Sequence, residues 1–214
     1  MRKTFFIILF CLQSFLIHAQ AYISVNVGPA LPVGEYGSTD LNNEAIGFAD
    51  LGISASLKFT QWLANHKIGL MADVGMMRNP LDADRYESEF TGQIGTADVS
   101  ISSNNYEVIT AMPGILIGRY EEEHDSDVYG YVKLGIMSVT TPAAIISYGT
   151  NVETIESQSA TGFGYGVGVG AHWTLVGKLG ISGTVEYVGG TASLDGFDQP
   201  IGNLNALLGI LLHF

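Results

Sequence analysis

The sequence predicts an all-β chain: an eight-stranded antiparallel up-and-down transmembrane β-barrel, with short turns at one end and long loops at the other. Three observations carry that reading. Large apolar residues alternate with small or polar ones in eight separate stretches, the period of two that strands produce and helices do not. The connections between stretches are alternately long and short. Finally, only 14% of the 214 residues are charged while 47% are hydrophobic, against about 25% charged in an ordinary soluble domain.

Ahead of the first stretch, MRKTFFIILFCLQSFLIHAQA reads as a secretory signal peptide over residues 1–20. Arg2 and Lys3 form its basic start, Phe5 to Ile17 its apolar centre, and Ala19-Gln20-Ala21 its cleavage region. The apolar run is shorter than the ~20 residues of a spanning helix. Cys11, the single cysteine, lies within it, so the expected mature domain, 21–214, has no disulfide. Without Arg2 and Lys3 that domain keeps 7 basic against 21 acidic residues. Nucleic-acid binding is thereby excluded, because phosphate contacts need clustered Lys and Arg.

The eight stretches follow in order. Residues 22–31 set Ile23, Val25 and Val27 against Ser24, Asn26 and Gly28, and residues 48–59 set Leu51, Ile53, Leu57 and Phe59 against Asp50, Gly52, Ser54 and Lys58. Residues 67–77 oppose Leu70, Val74 and Met76 to Gly69, Asp73 and Gly75. Residues 106–119 are less regular, with Ile109, Ile115 and Ile117 opposite Thr110, Gly114 and Gly118. Residues 128–139 oppose Val132, Leu134 and Ile136 to Tyr131, Lys133 and Gly135. The clearest is GFGYGVGVGAHW, 162–173, where Gly162, Gly164, Gly166, Gly168 and Gly170 alternate with Phe163, Tyr165, Val167 and Val169. Residues 178–188 and 203–214 complete the set. Connections 60–66, 120–127 and 174–177 are short; 32–47, 78–105, 140–159 and 189–202 are long and polar. That asymmetry marks a membrane barrel with periplasmic turns and extracellular loops.

The composition of the two faces decides which one meets lipid. The small face, mostly Gly and Ser, suits the crowded lumen of an eight-stranded barrel, which is just wide enough for side chains to fill it. The apolar face then meets the bilayer. Aromatic girdles are expected at both boundaries: Phe59, Tyr120, Trp173 and Phe214 on the short-turn side, Phe48, Tyr106 and Tyr187 on the long-loop side.

With these features the sequence resembles the small eight-stranded outer-membrane β-barrels of Gram-negative bacteria, of the OmpA and OmpX type. The resemblance rests on the eight alternating segments, the exit GPALPVGEYG with Gly28, Pro32 and Gly34, and the ending ALLGILLHF. It implies an outer-membrane location in contact with lipid. The barrel reads as a monomer, and the long loop 78–105, which mixes Tyr86 and Phe90 with charges, reads as a place for an extracellular partner. The resemblance also implies that Leu208, Ile210, Leu212 and Phe214 form the signal read by the barrel assembly machinery.

Interior charges are the main candidate site. Asp50, Asp73, Lys133 and Glu186 point inward by alternation, with Lys58 near the inner rim. Buried charges need partners or water, so these residues read as a network that fills the lumen. The expected role is non-enzymatic, structural or surface-interacting, and no cofactor or metal is implied. His66, His124, His172 and His213 all fall near periplasmic strand ends, away from outer-leaflet lipid. Gly166, Gly168 and Ala171 match a dinucleotide fingerprint formally, but no helix follows to hold a phosphate. The acidic runs 82–89 and 121–127 offer oxygen ligands to a divalent cation without EF-hand spacing. Two other readings stay open: a narrow pore gated by the Asp73–Lys133 pair, and a secreted lipocalin-like barrel with an apolar ligand inside.

Overall fold

A computed structural model describes residues 21–39, 46–63, 67–95, 99–119, 126–194 and 197–214. The expected signal peptide, Tyr120, His66 and His124, and the acidic run at 121–125 lie outside them.

Eight strands close into an antiparallel barrel: β1 (Ala21–Pro32), β2 (Gly52–Trp62), β3 (Ile68–Asn79), β5 (Tyr106–Arg119), β6 (Ser126–Thr140), β9 (Ser159–Val176), β10 (Leu179–Leu194) and β11 (Phe197–His213). Each pairs with its neighbour in the chain's barrel order, and β1 closes the ring on β11 through Tyr22↔His213 to Pro32↔Asn203. Closure satisfies every strand edge, which a sheet surrounded by lipid requires.

The apolar face is outside. Val25, Leu57, Val74, Ile115, Val132, Val167, Val185 and Ile210 all point away from the lumen and are exposed. On β3 the outward-facing apolar positions run from Ile68 to Met76, with Arg78 next on the same face. At about 3.3 Å per residue and a tilt near 40° the span from Ile68 to Arg78 covers about 25 Å, the height of a barrel's lipid-facing belt. At its loop end stands an ion pair, Arg78 to Glu107 at 2.7 Å, suited to the headgroup level. Among the described residues no helix is long and apolar enough to cross a membrane. A lipocalin-like barrel has the reverse arrangement, and that reading is set aside.

Three expectations need correction. First, β2 begins at Gly52 and not at residue 48. Phe48 takes a left-handed backbone, φ 46°, which breaks the alternation four residues before the strand. Second, 189–202 is not a long loop: β10 and β11 run on through it, pairing Gly189↔Gly202 and Thr191↔Pro200 up to Leu194↔Phe197. Glycine and proline there hide a period of two that the backbone still follows.

Third, loops 78–105 and 140–159 are folded. They contain helix α1 (Ala83–Ile94) and strands β4 (Val99–Ser103), β7 (Ala144–Tyr148) and β8 (Asn151–Ile155), which pair in the order β4-β7-β8. The acidic run at 82–89 is the start of α1: Asp82 caps it by accepting from the Arg85 N–H at 3.1 Å, and Asp84 sits in the first turn. Both acids complement the positive end of the helix dipole. Helix and sheet bury a small core of Ile101, Ala144 and Ile146 against Tyr86, Phe90 and Tyr148.

The orientation of the faces is testable. Val167→Arg, at mid-height on the lipid face, should destabilise the barrel by about 2–4 kcal/mol. Val152→Arg on exposed β8 should stay within about 0.5 kcal/mol. Denaturant titrations of protein folded into vesicles compare the two; equal effects would refute the assignment of the lipid face.

Candidate functional site

The lumen is built from one strand that lacks side chains and another whose side chains are long. On β9, Gly170, Gly168, Gly166, Gly164 and Gly162 lie directly opposite Tyr129, Tyr131, Lys133, Gly135 and Met137 of β6. A Cβ added at Gly168 would stand 2.7 Å from Tyr131 Cζ and 2.8 Å from Glu186 Cβ; at Gly166 it would stand 2.6 Å from Lys133 Cε. The glycines therefore supply the volume that the β6 side chains occupy. They also let groups two strands apart meet: Tyr131 and Glu186 both pair with Gly168, and the Tyr131 hydroxyl reaches across to donate to Glu186 Oε2 at 2.5 Å.

At mid-lumen four charges converge from four strands. Lys133 Nζ lies 2.9 Å from both Asp73 Oδ2 and Glu186 Oε2. Lys58 Nζ lies 3.1 Å from the same Glu186 oxygen and 3.7 Å from Asp73 Oδ2. It also donates to the Tyr131 hydroxyl at 3.2 Å, while Asn205 Nδ2 donates to Glu186 Oε1 at 3.4 Å. All four charged side chains are almost wholly buried. Two ammoniums and two carboxylates leave the layer neutral, as burial demands.

Of the charges expected in the lumen, Asp73, Lys133 and Glu186 are thus brought together, and Asp50 is not. Asp50 precedes β2, is exposed, and accepts from the adjacent Leu51 N–H at 2.6 Å. Its expected inward direction extends the alternation of β2 past the point where the strand starts. Lys58 belongs to the centre of the layer and not to a rim. The signal for it in the sequence is its place opposite Asp73 on the adjacent strand.

Packed groups close both ends. On the loop side Tyr36, Met77, Tyr106, Met112, Met137 and Val139 belong to one buried cluster, with Tyr36 edge-on to Tyr106 at 5.2 Å. On the turn side Tyr22, Trp62, Met71, Leu116 and Tyr129 form another. His172 joins it, its Nε2 2.8 Å from the Tyr129 hydroxyl and its ring edge-on to Tyr22 at 4.3 Å. Register sets Asp127, His172 and Ser182 in a row across three strands. That row is not a nucleophilic triad: Ser182 donates to Asn26 Oδ1 at 2.6 Å, and His172 Nε2 is engaged by Tyr129.

The aromatic girdles divide. Phe59, Trp173 and Phe214 are exposed on the turn side, and Tyr187 lies outward beside Tyr165 with ring centres 6.0 Å apart. Phe48 and Tyr106 are buried and do not belong to a girdle. Phe48 packs on Tyr86 of α1 at 4.8 Å, and Tyr106 seals the lumen. Leu208, Ile210 and Leu212 point outward on β11, and Phe214, one residue past its end, is exposed.

No protein-family model matches this chain, and no curated protein matches it in sequence. Solved structures do match in shape. Ail, the attachment invasion locus protein of Yersinia pestis, aligns over 92% of this chain and all of its own, at TM-score 0.51 and 17% identity. A major outer membrane protein of Thermus thermophilus aligns over 91% of this chain and 99% of its own, at TM-score 0.52 and 15% identity. This chain has the fold of the small outer-membrane β-barrels. At such identities the likeness is one of backbone architecture, and no site residue carries over.

Removing Lys133 tests the charge layer. Lys133→Ala leaves two buried carboxylates short of a cation and should cost about 3–5 kcal/mol. The double change Lys133→Met with Asp73→Leu should cost less than the sum of its single changes, read as a coupling energy in a double-mutant cycle. Gly168→Ala should cost about 1–3 kcal/mol by overpacking against Tyr131. Additive or neutral results in refolding titrations would contradict the geometry.

Proposed function

We propose that the protein is a non-enzymatic, monomeric outer-membrane barrel whose working part is its folded extracellular cap, a surface-interaction module on a closed lipid-embedded stem. The observation that carries this is the contrast between a filled stem and a folded cap. The lumen is occupied by paired charges between two packed clusters, while α1 and the β4-β7-β8 sheet form a second small core above the barrel mouth. Residues 1–20 would direct export, and Leu208, Ile210, Leu212 and Phe214 would serve as the assembly signal.

The charge of the cap indicates the kind of partner. Residues 80–95, 99–103 and 141–158 carry Asp82, Asp84, Glu87, Glu89, Glu153 and Glu156 against Arg85 alone. Ail of Yersinia pestis has been solved with the heparin analogue sucrose octasulfate, at TM-score 0.50 and 18% identity to this chain. An acidic cap repels such a polyanion and attracts cations. Vesicles carrying the full chain should attach to polylysine-coated surfaces and not to heparin-coated ones. Replacing 82–103 with a Gly-Ser linker should abolish attachment; unchanged attachment would refute the role of the cap.

A narrow gated pore is the second reading. Asp73 Oδ1, Asn205 Oδ1 and both side-chain amide atoms of Asn203 are buried without a hydrogen-bond partner among the described residues, and polar sites of that kind hold water. Conduction through them requires the Asp73–Lys133 pair to part. Planar-bilayer recordings of the refolded protein and of Lys133→Ala decide: silence from both supports the closed stem, and channel events altered by the substitution support the pore.

A further inference from the structure

We infer that the cavity between α1, the β4-β7-β8 sheet and the barrel mouth is a receptor for one large apolar side chain flanked by basic residues on a cationic polypeptide. This rests on the surface-interaction reading and adds the place and the chemistry of the contact. The cavity measures about 250 Å³. Its walls are Tyr86 of α1, Ile101 of β4 and Ile146 of β7, and Tyr106 lies at its base. Tyr106 also closes the lumen against Tyr36, so the cavity is a blind pocket and not the entrance of a channel.

Its rim is preformed. The Thr141 N–H donates to the Gln158 carbonyl at 2.8 Å, the Gln158 N–H returns a bond to Thr141 Oγ1 at 3.0 Å, and Ser157 Oγ donates to the Thr141 carbonyl at 2.8 Å. This clasp fixes the two chain segments that enter and leave the β7-β8 hairpin, which lowers the ordering cost of binding. Beside it Glu156 lines the cavity and is exposed, a carboxylate acceptor at the mouth. A second carboxylate acts on the pocket wall: burial raises the Tyr86 phenol pKa first, and the charge of Glu153 raises it further.

Size and charge together select the occupant. Sites for drug-sized molecules run from about 300 Å³ upward, so this pocket is sized for a single anchor group. Anchors of protein interfaces are most often Trp, Tyr or Arg set into a desolvated pocket. Two tyrosine rings on the lining favour an aromatic guest. Glu156 at the mouth favours a basic residue beside the anchor, and the acid excess of the cap favours further basic residues and speeds encounter with a cationic chain.

The test uses the full chain in lipid nanodiscs and three fluorescein-labelled tripeptides, Lys-Trp-Lys, Lys-Gly-Lys and Glu-Trp-Glu, followed by anisotropy. Saturable binding of Lys-Trp-Lys alone is expected. Ala144→Phe fills the pocket and should abolish binding. Glu156→Lys, at an exposed position that leaves the fold intact, should weaken it about tenfold, as for a rim charge that steers and pairs. Equal binding of Lys-Gly-Lys, survival of binding in both variants, or no binding of Lys-Trp-Lys would overturn the proposal. If polylysine attachment still requires 82–103 while Lys-Trp-Lys does not bind, only the pocket assignment falls; if attachment is also independent of the cap, the surface-interaction reading falls with it.

Discussion

The interior depends on a steric exchange between two neighbouring strands. β9 gives up its inward side chains over Gly162 to Gly170, and β6 fills the vacated space with Tyr129, Tyr131, Lys133 and Met137. Without that exchange an eight-stranded ring could not hold two lysines, two acids and several tyrosines at once. The same empty strip brings Tyr131 to Glu186 across an intervening strand. Charge pairing in the lumen is thus a consequence of where side chains are missing.

A second constraint follows from the bilayer. Lipid offers no hydrogen bonds, so the sheet must close and its polar content must face inward. Inward polar groups then face each other in a narrow space, where only neutral combinations are tolerated. Above the membrane these limits lift. There the chain can carry an acid excess and build a helix and a small sheet that meet water, and the loops hold the groups most able to make contacts.

The barrel is legible in the sequence because period-two alternation reports directly on a two-faced strand, and eight such segments leave little choice of architecture. The glycine strip is legible for the same reason. Alternation fails where backbone geometry departs from it, as at Phe48, whose left-handed conformation detaches Asp50 from the lumen. It is also blind where glycine and proline carry no contrast, as in the outer ends of β10 and β11. The partnership of Lys58 with Glu186, 128 positions away, arises from ring closure and has no local signature. The cap is hidden because α1 is short and polar and takes its stability from packing on β4 and β7, not from its own sequence.

The seam of the ring joins Tyr22 to His213, the first strand to the last. Contacts of such separation form late, since the intervening chain must be gathered before they are rewarded. Until β11 arrives, β1 holds an unpaired edge rich in Ile23, Val25 and Val27, and such an edge invites pairing with other chains. The ring therefore cannot close until the whole span from β1 to β11 is present, and the seam is the contact that turns an open, edge-bearing sheet into a finished surface.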